Sequence, residues 1–210
     1  MVELPPQEEQ AIYAPEPYRI DLSLNESSLC IDIGIKRRKT HTGLDNRSWH
    51  GEEQRVVNDI LGAKVECATR IGLWLDVKPI LLKGGDKGFG DMVLPSGKTI
   101  EAKGQRRKYY SPDNYFAYNT TGKSVRRMKD DFGVLGIPAP EDEIDAEDHE
   151  SAFEQAKTAR SFIILGFITR DDFYKYCSRD KMKYGECDRV FPHHLTDFRI
   201  LRENRFQAEK

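Results

Sequence analysis

The nine residues "SFIILGFIT", 161–169, constrain the fold more than any other stretch of the chain. Between Ser161 and Thr169 every residue except Gly166 is large and apolar. A strand turns successive side chains to opposite faces, so a run that is apolar at both parities must be covered on both faces. This predicts a central strand in a sheet with further layers on each side. A chain of 210 residues supplies that as one domain. No run reaches the roughly 18 apolar residues of a membrane-spanning helix, so no membrane partner is expected.

Other segments fill in the sheet and its cover. "SLCIDIGI", 28–35, alternates Leu29, Ile31, Ile33 and Ile35, which predicts a strand. "GEEQRVVNDILGA" predicts a helix with Val56, Val57, Ile60 and Leu61 on its apolar face and Gly62 as its stop. "LWLDVKPILLK", 73–83, has strand composition but is broken by Pro79, which predicts an edge strand or two short pieces. "MVL", "PSG" and "KTIEAK" predict a hairpin over 92–103. "DDFGVLGI" is a further strand, "SAFEQAKTAR" a short helix and "RDDFYKYCSRD" another helix. Residues 1–27 open with an acidic, Pro-rich stretch and are expected to form an extended N-terminal arm. The single α/β domain then runs over 28–210, with a solvated acidic loop at 138–151. "MVELPPQEEQ" has neither the basic nor the apolar region of a secretory signal, so the expected location is cytoplasmic.

The net charge of −2 hides segregation. Residues 104–129 hold seven Lys or Arg and one Asp, residues 141–154 hold eight Asp or Glu, and "KRRK" at 36–39 is a second basic cluster. Local patches, not the total, decide whether a polyanion binds. Cys30, Cys67, Cys177 and Cys187 are scattered, with no CxxC pair, as expected of reduced thiols. Cys177, Cys187, His193 and His194 are a poor zinc set, because adjacent histidines rarely both reach one ion.

The chemistry concentrates in the hairpin. Alternation along "KTIEAK" turns Ile100 and Ala102 to one face and Glu101 and Lys103 to the other. Asp91 starts the opposite strand, and pairing around the 95–97 turn brings it toward Glu101 and Lys103. Two close carboxylates repel and favour a cation. Magnesium suits such a site, being a hard ion that takes carboxylate, water and phosphate oxygens. An exposed hairpin face with a surface ion pair is the plainer alternative.

These residues resemble the PD-(D/E)XK nuclease superfamily over about 50–176. "GD" at 90–91 and "IEAK" at 100–103 are similar to its paired acidic elements, and "GEEQRVVNDILGA" to its acidic helix. The resemblance implies a restriction-endonuclease-like core, a central mixed β-sheet flanked by helices. It implies Asp91 and Glu101 as metal ligands with the Ala102 carbonyl, Lys103 as the catalytic lysine, and Glu53 as an outer or second-metal acid. Gly90 stands where the family carries Pro, and Asp86 competes with Asp91. The implied cofactor is Mg2+, with Mn2+ as a substitute, and the implied partner is DNA. The expected function is a magnesium-dependent deoxyribonuclease, an endonuclease, acting in the cytoplasm (the host's, if phage-encoded). A homodimer would let two sites cut two strands. The alternative is a non-catalytic nucleic-acid-binding module on the same fold.

Beside Lys103 lies "GQRRKYYSPDNYFAYN". Gln105, Arg106, Arg107, Lys108, Tyr109 and Tyr110 are candidate nucleic-acid contacts, with Lys123, Arg126 and Arg127 further on. "AYNTTGKS", 117–124, matches a loose phosphate-loop pattern, but no clear strand precedes it and no long helix follows, so Lys123 is assigned to the basic patch.

Overall fold

The structure is a computed structural model. It describes residues 16–41, 52–77, 91–106, 116–120, 128, 130–182 and 185–207, without the side chains of 39–41, 52–55, 116–120, 178–182 and 185–189. In chain order the described elements are β1 (Tyr18–Asp21), α1 (Leu24–His41), α2 (Glu52–Gly72), β2 (Met92–Val93), β3 (Thr99–Gly104), β4 (Phe116–Thr120) and β5 (Phe132–Pro138). They continue with α3 (His149–Thr158), β6 (Ser161–Thr169), α4 (Arg170–Tyr176), β7 (Ser178–Met182), β8 (Gly185–Val190) and α5 (Phe198–Glu203).

The apolar run at 161–169 is β6, inside a five-stranded sheet of order β1-β6-β5-β3-β2. Only the β3–β5 pairing in this sheet is parallel, so the sheet is mixed. Both faces of β6 are covered. Phe162 and Ile164 join Ile100, Val134 and the α2 residues Val57, Ile60, Leu61 and Val65 in one core. Leu165 and Ile168 join Leu135, Ile137, Phe173 of α4 and Val190 of β8 in a second core. The architecture is therefore α/β, with helices on one face. On the other lie α4 and a smaller antiparallel sheet of order β4-β8-β7.

The predicted strand at 28–35 is instead part of helix α1. The period-two series Leu29, Ile31, Ile33 and Ile35 is misleading because the face that packs is made largely of small residues. Ser27, Cys30, Ile33 and Gly34 are buried, at helical spacing. A side chain at Gly34 would meet the Ile60 backbone at 2.7 Å, so glycine lets α1 and α2 cross closely. The start of α1 is a capping box. Ser23 N donates to Glu26 Oε2 at 2.7 Å, and Glu26 N donates to Ser23 Oγ at 3.2 Å.

Helix α2 also differs from expectation, running ten residues past Gly62 to Gly72. A mid-helix glycine costs about 1 kcal/mol, and the burial of every residue over 63–70 outweighs it. The extended arm expected at 1–27 gives way, from Tyr18 on, to β1 and the first turn of α1; residues 1–15 lie outside the described residues. Of the edge strand or two short pieces expected at 73–83, residues 73–77 form a turn and irregular chain, and the rest lies outside the described residues.

The acidic loop includes a short 3-10 turn at Pro140–Asp142. There Asp142 Oδ2 accepts from Arg160 N at 2.9 Å and Ser161 N at 2.6 Å, fastening the start of β6. The helix expected over 170–180 stops at Tyr176, and the chain turns into β7. The phosphate-loop look-alike begins in β4, an antiparallel strand of the smaller sheet.

Candidate active site

The predicted hairpin forms. Met92 pairs with Ile100 and Val93 with Thr99, and Leu94 N donates to Lys98 O at 2.8 Å across the turn. Alternation along β3 holds as expected: Ile100 and Ala102 are buried, while Glu101 and Lys103 lie half-exposed. Lys103 Nζ pairs with Glu101 Oε1 at 2.7 Å. Asp91, one residue before β2, turns its carboxylate to β3, where Oδ2 accepts the Ala102 N–H at 2.8 Å. The structure thus gathers Asp91, Glu101, Ala102 and Lys103 at one end of the hairpin.

Helix α2 supplies the remaining charges. A side chain at Gly104 would meet Leu61 O at 3.1 Å and Val65 Cγ2 at 3.2 Å, so glycine lets the helix lie close on β3. The next residue after Val65 is Glu66, which is buried. Its carboxylate takes both guanidinium ends of Arg37 from α1, at 2.5 and 2.7 Å. Burial works against the Arg37 charge, but Glu66, then Asp91 and Asp59, prevail and raise its pKa. One helical turn on, Arg70 donates from Nη2 to Asp91 O at 2.9 Å and from Nη1 to Asp76 O at 3.2 Å. Burial lowers the Arg70 pKa, against the pull of Glu66 and Asp91.

Asp91 has the most perturbed carboxyl of the group. Burial and then the Glu66 charge push its pKa up, the Ala102 N–H opposes them, and Glu101 adds to the rise, leaving it at about 8. The acidic field extends along β3. Asp130 is buried, and burial with Glu101 and Asp131 raises its pKa against a hydrogen bond to Thr99. Asp131 accepts Thr99 N at 2.8 Å and pairs with Arg170 at 2.7 Å, clamping the parallel strands β3 and β5 at their start.

Among the described residues no three His, Cys, Asp or Glu side chains are gathered closely enough to hold a metal ion. The donor chemistry nonetheless fits a hard divalent cation. Every acid is a carboxylate, and Asp91 is held toward its protonated form by burial first and then by the Glu66 and Glu101 charges, which a cation would offset.

Glu66, Arg37 and Arg70 were not among the residues expected from sequence. Glu66 lies thirteen positions beyond Glu53 on α2, about 20 Å along the axis at 1.5 Å per residue. The acid of α2 beside Asp91 is therefore Glu66, and the Glu53 side chain lies outside the described residues. Two signals were available. Glu66 and Arg70 are spaced i, i+4, and Arg37 continues the buried Cys30, Ile33 and Gly34 face of α1.

The expected nucleic-acid contacts are only partly described. Gln105 is half-buried, its N–H bound to Gly136 O at 3.0 Å. Arg106 is 3% exposed, a burial that any phosphate contact would have to undo. Arg107, Lys108, Tyr109, Tyr110, Lys123, Arg126 and Arg127 lie outside the described residues, as does Asp86. Of the disfavoured zinc set, His193 and His194 stack on Phe191 and Tyr176, and the Cys187 side chain is not described. Cys30 and Cys67 are free, buried thiols. No described helix is long and apolar enough to cross a membrane. A cavity of about 660 Å³ lies at the turn end of the hairpin, walled by Leu94, Phe132, Phe167 and Ile200 among others, and none of the acids at the Asp91 end lines it. Compared with known proteins, the chain matches no family model, no curated sequence and no solved structure.

Proposed function

We propose that the chain is a magnesium-dependent deoxyribonuclease, an endonuclease with a restriction-endonuclease-like core. The observation that carries this reading is Asp91: a carboxyl pushed up to about 8 by burial and by Glu66 and Glu101, on the same hairpin end as the Glu101–Lys103 pair. Asp91 and Glu101 would hold Mg2+, or Mn2+ in its place, with the Ala102 carbonyl. A bound divalent ion supplies charge neutralisation at phosphate and lowers the pKa of water. Glu66 takes the outer-acid part assigned from sequence to Glu53. Lys103 positions the attacking water and opposes the charge that builds on the phosphate. Arg37 and Arg70 hold Glu66 and the Asp91 backbone in place. The protein would act in the cytoplasm, where its free buried thiols stay reduced. A homodimer would cut both strands of a duplex.

A second reading, a non-catalytic nucleic-acid-binding module, is favoured by one observation. Glu101 is already paired with Lys103 and Glu66 with Arg37. The test is incubation of supercoiled, linear, branched and single-stranded DNA with the purified protein in Mg2+ or in EDTA. Cleavage in Mg2+ alone supports the nuclease. Binding without cleavage of any form favours the module.

A further inference from the structure

Helix α2 ends in a Schellman motif. Leu75 N donates to Arg70 O at 2.8 Å and Trp74 N to Ile71 O at 2.9 Å. The residue at the left-handed position of this motif is Trp74, with φ 56°, where glycine is usual. Among the described residues it is the one non-glycine residue with positive φ. A bulky side chain there strains the backbone, and Trp74 gains little burial in return, because it is 66% exposed. Neither propensity nor packing explains a tryptophan at this position.

Its surroundings do. The guanidinium carbons of Arg202 and Arg205 lie 4.8 and 4.6 Å from the Trp74 ring centre, and Arg205 also lies 4.4 Å from the ring of Phe206. Phe206 is 65% exposed. Arg202 donates to Tyr18 Oη at 3.0 Å and Arg205 to Arg202 O at 2.6 Å. No carboxylate among the described residues comes within salt-bridge distance of either arginine. Arg199 on the same helix, in contrast, is neutralised by Asp197 and Glu16. Two guanidiniums outside salt-bridge range of any described carboxylate, Arg202 over Trp74 and Arg205 between Trp74 and Phe206, offer phosphate binding and base stacking together.

We propose that Trp74, Arg202, Arg205 and Phe206 form a second nucleic-acid contact that binds unpaired nucleotides, with bases on the rings and phosphates on the arginines. This rests on the nuclease reading in one respect: the strand held here would be the one led to Asp91. The patch and the acid are tied mechanically. Arg70 accepts the closing bond of the Trp74 turn and donates to Asp91 O, while Arg205 O accepts the Ser96 N–H of the hairpin turn at 3.3 Å.

Because the chain has two tryptophans, Trp49 and Trp74, a Trp49→Phe background isolates the signal. That protein is titrated in EDTA with oligothymidylate, with oligouridylate, with a duplex and with phosphatidylserine vesicles. The expected result is saturable quenching of Trp74 fluorescence by single strands of DNA or RNA, with weaker response to the duplex. Trp74→Gly should weaken oligonucleotide binding about tenfold and melt no lower than wild type, since glycine relieves the strain. Should Trp74→Gly fail to fold, Arg205→Gln decides: a loss of about fivefold or more supports the patch, and unchanged affinity overturns it. Absent quenching, affinity of Trp74→Gly within about twofold of wild type, or quenching by vesicles alone also overturns it. Because EDTA prevents cleavage, binding without Mg2+-dependent cutting sinks only the nuclease reading, and cutting without Trp74 quenching sinks only this patch.

Discussion

Lys64 and Glu66 sit two residues apart on α2, both buried and both charged, yet they serve opposite ends. Lys64 closes a structural account. Its Nζ donates to Lys157 O at 2.9 Å and to Ala159 O at 2.5 Å, capping the C-terminal carbonyls of α3. Burial lowers its pKa to about 8, and its partners are neutral. Glu66 instead joins an ionisable cluster of Arg37, Arg70 and Asp91, reaching by charge to Glu101. A buried charge answered by backbone carbonyls is part of the scaffold. Carboxylates drawn together around one buried acid, Glu66, are the site that the proposed function has a cation complete.

Four variants separate these two kinds of buried charge. The largest effect is expected at Asp91. Asp91→Asn should abolish Mg2+-dependent cleavage in single-turnover assays while melting at or above the wild-type temperature, because it removes a repelled carboxylate. Wild-type cleavage by this variant rules out the proposed site. Lys103→Ala should bind DNA in Ca2+ almost normally and cut about a hundredfold more slowly, roughly 3 kcal/mol of barrier. Normal cutting rejects the lysine's role. Lys64→Met should leave the per-molecule cleavage rate unchanged but cost about 2 kcal/mol of stability, since two carbonyls lose a buried donor. A slowed reaction with unchanged stability in urea melts would blur the comparison. The smallest effect is at Gly62, between the two regimes. A side chain there meets nothing within 4 Å, so Gly62→Ala should stabilise α2 by about 0.5–1 kcal/mol and leave cleavage alone.

Acidity distinguishes the same two residues by sign. Asp91 titrates at about 8 in the fold against 3.8 ordinarily, so the folded state holds its proton more tightly. Its contribution is fully present below pH 3.8 and is lost as pH rises to about 8. Lys64 titrates at about 8 against 10.5, so its contribution rises between pH 8 and 10.5. Compared with wild type, Asp91→Asn should flatten the melting profile in the lower window and Lys64→Met in the upper. The reverse assignment would break the comparison.

The hairpin was legible in the sequence because its information is local: a Pro-Ser-Gly turn sets the register, and alternation sets the faces of Glu101 and Lys103. The covered strand β6 was legible because a run apolar at both parities leaves one solution. Helix α1 was not, since its packing face is Ser27, Cys30 and Gly34, residues with too little hydrophobicity to outweigh the Ile31, Ile33, Ile35 alternation. Only the Ser23–Glu26 capping box marked it. Glu66 and Arg70 were missed because Gly62 reads as a helix stop, whereas tertiary burial carries α2 through it. Partnership between Arg37 and Glu66 spans two helices, and no short-range pattern encodes it.

The central proposal is that Asp91 and Glu101 bind a divalent cation, with Glu66 beside Asp91 as the outer acid. It is tested most directly by the melting temperature of wild type and Asp91→Asn at pH 9, with and without Mg2+. At that pH the Asp91 carboxyl is ionised in the fold. Mg2+ should therefore raise the wild-type melting temperature by relieving the crowding, and leave Asp91→Asn nearly unmoved. An equal rise in both proteins, or none in either, would contradict the account.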